Sequence, residues 1–274
     1  MWIARALGTL ILGSAVYAWS TNLSREFKRR RREASWEPLL EVKKLENKDI
    51  AHLPKPVQRY IEITGSIGEP VVTEIKMEFE ATMYDAPGAK GMTGPASQYD
   101  RFDEMHRLFF MRTHMKGLPI SVLHDFDADR ATMKVRAAGL MNVVDASGPE
   151  LTRTETVTIL NDIAFFAPSR LVDQRLKWTA VDDKSAKVEF TLGANTVSAE
   201  LIFNDAGELV DFISEDRGMM QKDGTLRTAR WSTPLGNYRR FGNWRLASEG
   251  DAIWHLPEGP FTYGHLRLVK YEAR

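Results

Sequence analysis

The clearest regularity in the chain is an alternation: Ile75, Met77, Phe79, Ala81 and Met83 are apolar, and Lys76, Glu78, Glu80 and Thr82 between them are polar. Successive strand side chains point to opposite faces, so this period of two predicts a strand buried on one side only. Similar runs predict strands over 106–115, 119–126, 131–137, 175–181, 185–192, 196–204, 208–216, 227–233, 236–241, 244–255 and 261–271. Asp182-Asp183-Lys184, Asp205-Ala206-Gly207 and Asp223-Gly224 read as the turns between some of them. Connections this short make neighbours antiparallel, since a parallel crossover needs a dozen or more residues.

The period lengthens in two places. Pro56 suits the first turn of a helix, Val57, Tyr60 and Ile61 share one face of it, and Gly65 can end it. Pro149 and Glu150 open a second helix after Ser147, with Val157, Leu160, Ala164 and Ala167 on one face and Pro168 closing it. The alternating threonines over 152–158 would suit a strand instead. Gly88, Gly91 and Gly94, with Pro87 and Pro95, mark 85–97 as a loop, either a hairpin connection or a flap over a cavity mouth. The expected fold is mainly β (α+β): a curved antiparallel sheet or half-barrel wrapped on one or two helices. It forms a single domain over 50–274, after a connector over 34–49 whose Leu39, Leu40, Val42 and Leu45 have the spacing of a short amphipathic helix.

Ahead of that domain, 19 uncharged residues run from Ala6 to Ser24. As a helix they would extend roughly 28 Å, enough to cross a hydrocarbon core of about 30 Å. Tyr17 and Trp19 stand toward one end, where amphipathic rings favour the headgroup layer. The basic run Lys28 to Arg32 follows closely and resists translocation. Residues 1–33 therefore read as a transmembrane anchor with a basic collar, which makes membrane lipids a partner. The soluble domain is expected on the cytoplasmic side, with the extracytoplasmic side as the alternative. A cleaved secretory signal, with Val16 and Ala18 near its processing site, is the competing reading.

Charge sharpens this division. Residues 1–33 carry seven basic and two acidic residues; removing them from the 37 of each sign leaves 30 basic against 35 acidic, a net of −5. An acidic domain repels phosphate, so nucleic acid is a poor partner. The absence of cysteine excludes disulfide and thiolate chemistry.

Catalytic and metal motifs are lacking. The histidines 52, 106, 114, 124, 255 and 265 form no HExxH pair, although His106 and His114 share an expected strand face that His124 could join across a hairpin. Asp125, Asp127 and Asp129 imitate a calcium loop, but Arg130 and Arg136 occupy its glycine and glutamate positions. Asp182-Asp183 and Glu215-Asp216 are explained by turns and strand ends. No catalytic residue, metal site or cofactor is implied.

Aromatic residues spread over nearly every element, and Met105, Met111, Met115, Met133 and Met141 join them in the first half. Most must be core, yet large rings and flexible methionines also line cavities for apolar ligands.

Several motifs, in order, resemble an uncharacterised bacterial family, a domain of unknown function. They are Leu53-Pro54-Lys55-Pro56-Val57-Gln58-Arg59-Tyr60, Lys116-Gly117-Leu118-Pro119-Ile120, Phe166-Ala167-Pro168-Ser169-Arg170-Leu171 and Trp178. Thr196-Val197-Ser198-Ala199 and Trp254-His255-Leu256-Pro257-Glu258-Gly259 complete the set. The resemblance implies a lipoprotein-carrier-like shell, a sheet wrapped around helices with an apolar concavity, and points to lipid-like ligands; the apolar anchor sets this chain apart from soluble carriers and makes it a single-pass protein of the bacterial inner membrane by expectation. The resemblance supplies no catalytic residues.

The expected function is thus a membrane-anchored, non-enzymatic module that binds a lipid, an acyl chain or a lipidated partner, lined by Phe79, Phe109, Met111, Phe203 and Trp254. One alternative is a structural or interaction protein with a filled core that docks a membrane protein. Another is an enzyme on lipid-like substrates using His255, Glu258 or His114.

Overall fold

The computed structural model describes residues 22–34, 43–139, 141–221 and 223–274. The expected membrane span over 6–24 lies outside these apart from its last three residues. Among the described residues no helix is long and apolar enough to cross a membrane.

The described residues open with α1 (Asn22–Glu33), the single turn α2 (Asn47–Ile50) and α3 (Lys55–Ile63). A run of antiparallel hairpins follows: β1 (Glu74–Met83), β2 (Met92–Arg101), β3 (His106–Met115), β4 (Leu118–Asp127), β5 (Arg130–Ala137) and β6 (Met141–Ser147). The long helix α4 (Pro149–Phe166) and a 3₁₀ turn over Pro168–Val172 come next. The second half adds β7 (Leu176–Ala180), β8 (Ser185–Leu192), β9 (Asn195–Phe203), β10 (Leu209–Ser214), β11 (Gly218–Met220) and β12 (Leu226–Thr228). It ends with β13 (Trp231–Ser232), β14 (Leu235–Gly236), β15 (Arg239–Phe241), β16 (Trp244–Leu246), β17 (Glu249–Leu256) and β18 (Gly259–Ala273).

The mainly β, antiparallel architecture expected from the alternation is the one observed. One sheet runs β6-β5-β4-β3-β2-β1-β18-β17-β13-β10-β9-β8-β7, so the final long strand zips the two halves together beside β1. Helix α4 packs against β5 and β6 near one end of this order and against β9 and β10 near the other. A flat sheet could not do both; it curls around the helix. At one rim the β8–β9 turn reaches the β4–β5 turn, where a side chain at Gly193 would touch Asp129.

Because it is enclosed, α4 is buried along nearly its whole length. Its threonines are not solvent-facing. Thr152 Oγ1 accepts a hydrogen bond from the Ala131 N–H at 3.1 Å, and Thr154 Oγ1 accepts one from the Gly218 N–H at 3.0 Å. Thr156 and Thr158 donate instead to the Thr152 and Thr154 carbonyls of their own helix, so the repeat that looked strand-like is a set of short hydroxyl side chains satisfied inside the sheet. The Tyr60 hydroxyl of α3 donates to the Ala164 carbonyl at 2.9 Å, and the Tyr271 hydroxyl of β18 donates to the Phe166 carbonyl at 2.6 Å, fixing the end of α4.

Several elements differ from expectation: the expected strands 227–233, 236–241 and 244–255 are each broken in two, into β12 and β13, β14 and β15, and β16 and β17, with β12, β15 and β16 in separate two-stranded sheets. β2 starts at Met92, inside the expected loop, and includes Gly94 and Pro95. A Cβ at Gly94 would stand 1.9 Å from the Arg112 carbonyl oxygen of β3, so glycine here serves close strand approach rather than a turn. β6 has no one-sided apolar pattern because it is an exposed edge strand. Finally, Leu45, in the expected connector, is fully buried, and Lys44 bridges to Pro70, so the packed domain begins before residue 50.

The basic collar also has a structural role. Leu23 and Phe27 of α1 are buried against Tyr99, Leu108, Phe110 and Leu123 on the outer sheet face, the Phe27 and Phe110 rings stacking at 5.5 Å. Arg30 pairs with Glu26 at 2.6 Å and with Asp125, and Lys134 reaches Glu26 at 3.0 Å. Lys28, Arg29 and Arg32 remain exposed.

Candidate functional site

Register decides which side chains meet inside the curled sheet. The pairings Asp100↔Arg107, Gln98↔Phe109 and Phe109↔His124 put these residues on one face, and Gln98↔Met77 and Ala96↔Phe79 extend that face to β1. This is the face toward α4. Tyr99, Leu108, Phe110 and Asp125, one residue out of step, look outward toward α1.

Between this inner face and α4 lies a cavity of about 180 Å³. Phe79, Met83, Phe109, Phe165, Phe166, Trp231, Leu266 and Leu268 give it mostly apolar walls. Half-buried Glu249, Gly250 and Asp251 of β17 stand at its rim.

The floor is charged. Arg107 Nε donates to Asp162 Oδ2 at 2.6 Å, its Nη1 approaches Glu155 Oε2 at 3.4 Å, and its Nη2 donates to Gln98 Oε1 at 3.3 Å. Gln98 Nε2 in turn donates to Asp100 and Asp162, each at 2.8 Å. Burial raises the carboxyl of Asp100 well above the usual range, and the neighbouring Asp162 charge adds to this. Burial raises Asp162 too, opposed by the Arg107 guanidinium and by hydrogen bonds from Arg107 and Gln98. Glu155 goes the other way: burial pushes it up, but His124, Arg107 and Arg217 outweigh that and hold it at about 2. The guanidiniums of Arg107 and Arg217 thus face the carboxyl groups of Glu155 and Asp162.

Arg217 closes the other side. Its guanidinium lies 4.4 Å over the Trp231 ring and 5.3 Å from that of Trp254. Nη1 donates to the Tyr263 hydroxyl at 3.0 Å and Nε to Thr158 Oγ1 at 3.3 Å. Tyr263 owes its position to a bulge: Ala252 pairs with Gly264 and Ile253 with Thr262, leaving Tyr263 as the extra residue. Such a bulge re-aims a side chain, here toward the interior against Trp254 at 5.7 Å.

Of the expected lining residues, Phe79 and Phe109 wall the cavity. Trp254 is one layer behind, stacked on Tyr263 and 6.5 Å from Trp231. Met111 and Phe203 belong to the solid core instead, Phe203 packing on Tyr60 at 5.7 Å. The three histidines do not converge: His124 faces the cavity, while His106 bonds Asp125 at 3.1 Å on the outer face and His114 is exposed. His255 pairs with Ser232 Oγ at 2.8 Å and Glu258 is exposed, neither of them lining the cavity. Among the described residues no group of three or more His, Asp or Glu is placed to hold a metal ion.

The charged floor was not anticipated. Its signal is faint but present: Glu155 and Asp162 are seven residues apart, two turns along one helical face, and Gln98 and Asp100 share a strand face.

The family of unknown function DUF6544 matches residues 43–266. This chain belongs to that family. No curated protein matches it. Among solved structures, a domain described as an outer membrane lipoprotein-sorting protein from Vibrio parahaemolyticus is similar at 8% identity and a TM-score of 0.43, over 74% of this chain and 86% of that one. A DUF1329 family protein from Desulfovibrio piger ATCC 29098 is similar at 11% identity and a TM-score of 0.42, over 81% and 93%. The DUF6544 match begins at Lys43, where the described domain resumes beside the Lys44–Pro70 bridge.

Proposed function

We propose that this DUF6544 chain is a non-enzymatic binding protein for an apolar, acyl-type ligand, tethered to the bacterial inner membrane by its N-terminal apolar segment, with the domain on the cytoplasmic side. The cavity between α4 and the sheet carries this reading: apolar walls, a polar floor whose charged groups pair with one another, and a rim on β17. A core packed solid would favour a purely structural role; about 180 Å³ of unfilled space favours a guest. The volume is below the roughly 300–1,000 Å³ of drug-sized sites, so it suits a short chain or one segment of a longer one. Each buried methylene would contribute about 0.8 kcal/mol before binding entropy is subtracted. The charged groups at the floor are engaged mainly with one another, which suits orientation of a ligand more than acid–base work.

Native mass spectrometry of the full chain released from mild detergent tests the proposal. The expected spectrum contains a one-to-one adduct of acyl-lipid mass. A lipid-free chain that also takes up no fatty-acid probe overturns it.

A further inference from the structure

The polar end of the cavity has an unfilled valence. The Tyr263 hydroxyl accepts hydrogen bonds from Arg217 Nη1 at 3.0 Å and from Trp231 Nε1 at 3.2 Å. A phenolic oxygen accepts two and donates one, so both acceptor positions are taken and the hydroxyl hydrogen is left to donate. Among the described residues no acceptor takes that hydrogen. Beside it, Arg217 Nη2 stands 3.9 Å from Glu155 Oε1, beyond hydrogen-bond distance. Both donors line the cavity, and the bulge at Tyr263 is what brings the hydroxyl there.

Resting on the binding reading above, we propose that Tyr263 Oη–H and Arg217 Nη2 form the recognition point for an uncharged acyl carbonyl, an ester or amide oxygen at the head of an apolar chain. The partner must be an acceptor, because both protein groups are donors. An uncharged acceptor suits the corner better than a carboxylate, because Glu155 Oε1 already stands 3.9 Å from Arg217 Nη2 and a free carboxylate would set a second anion beside it. The Trp231 and Trp254 rings, which cover the guanidinium, keep this corner dry and strengthen a hydrogen bond made there.

The test uses the full chain in nanodiscs and four probes of similar length: methyl hexanoate, N-methylhexanamide, hexanoate and heptane. Binding is followed by NMR at the Trp231 indole N–H, which bonds Tyr263. The ester and amide are expected to bind about 5–10-fold tighter than heptane, and hexanoate at pH 8 more weakly than the ester. Tyr263→Phe should shrink the ester's advantage over heptane, and an unchanged ratio overturns the role given to its hydroxyl. As a check that needs no variant, the carbonyl ¹³C signal of bound methyl hexanoate should move downfield, as carbonyls do on accepting hydrogen bonds. Equal binding of ester and heptane, tighter binding of hexanoate, or an unshifted carbonyl overturns this assignment while the cavity reading stands. If none of the four probes binds, the cavity reading falls with it.

Discussion

Arg107 and Asp162 meet at 2.6 Å inside the curled sheet, a strand guanidinium and a helix carboxylate both withdrawn from water. The pair sits where β3 crosses the central helix and binds Gln98 and Glu155 into the same network. Truncating one partner of such a buried pair strands the other's charge. Arg107→Met is therefore expected to destabilise the domain by about 3–5 kcal/mol. Adding Asp162→Leu should restore part of that loss, because the carboxylate nearest the lost guanidinium goes too. Chemical denaturation of both variants checks this; a double variant no more stable than the single one contradicts it.

Asp211 gives a pH signature. Burial raises its carboxyl to about 6 from an ordinary 3.8, although the Phe212 and Thr233 N–H groups donate to it. With the folded value above the unfolded one, the native state holds more protons between about pH 4 and 6, and stability falls as pH rises through that window. Asp211→Asn keeps an oxygen acceptor without the charge. It should stabilise by at most about 2 kcal/mol at pH 7.5, allowing for partial exposure, and by almost nothing at pH 4. Thermal melts at the two pH values decide the matter, and a gain independent of pH rules the explanation out.

The cavity can be filled from its wall. Ala252 lies on the inner face of β17, beside Gly264 and Met83. Ala252→Phe should project a ring into the space and lower uptake of a fatty-acid probe at least tenfold. The domain should remain folded, at a cost of about 1–3 kcal/mol for overpacking. Undiminished uptake would place the ligand elsewhere.

Docking of α1 makes a separable prediction. Phe27→Ala removes the ring stacked on Phe110, a change worth about 3 kcal/mol at a buried site. Hydrogen exchange should then speed up across residues 22–33 and leave β8 and β9 unaffected. Unchanged protection in α1 would show that Phe27 does not hold it.

Sidedness is testable because the chain has no cysteine. Ala206→Cys, in the exposed turn between β9 and β10, offers a single thiol. The cytoplasmic placement predicts no labelling by an impermeant maleimide in intact spheroplasts and full labelling after lysis. Labelling before lysis reverses the topology.

Much of the fold could be read along the chain because one-sided burial imposes a period of two on the residues themselves. Strand β8 falls at 185–192 as expected, β1, β3 and β9 differ from expectation by at most one residue at either end, and α4 runs from Pro149 as its proline and apolar spacing indicate. Pattern failed where neighbours rather than solvent dictate the residue. Gly94 is required by the backbone of β3, Thr152 and Thr154 of α4 answer to donors on other strands, and β6 has no buried face to advertise.

By itself the sequence determined the alternation, the two main helices, the absence of thiol chemistry and the apolar N-terminal run, all of which are local properties. Only the tertiary structure decided that Gln98, Arg107, His124, Glu155, Asp162, Arg217 and Tyr263 share one cavity. They come from five elements and the loop before β11, and their meeting depends on register, on the curl of the sheet and on a one-residue bulge. A shift of one position in any strand would turn its side chains to the other face.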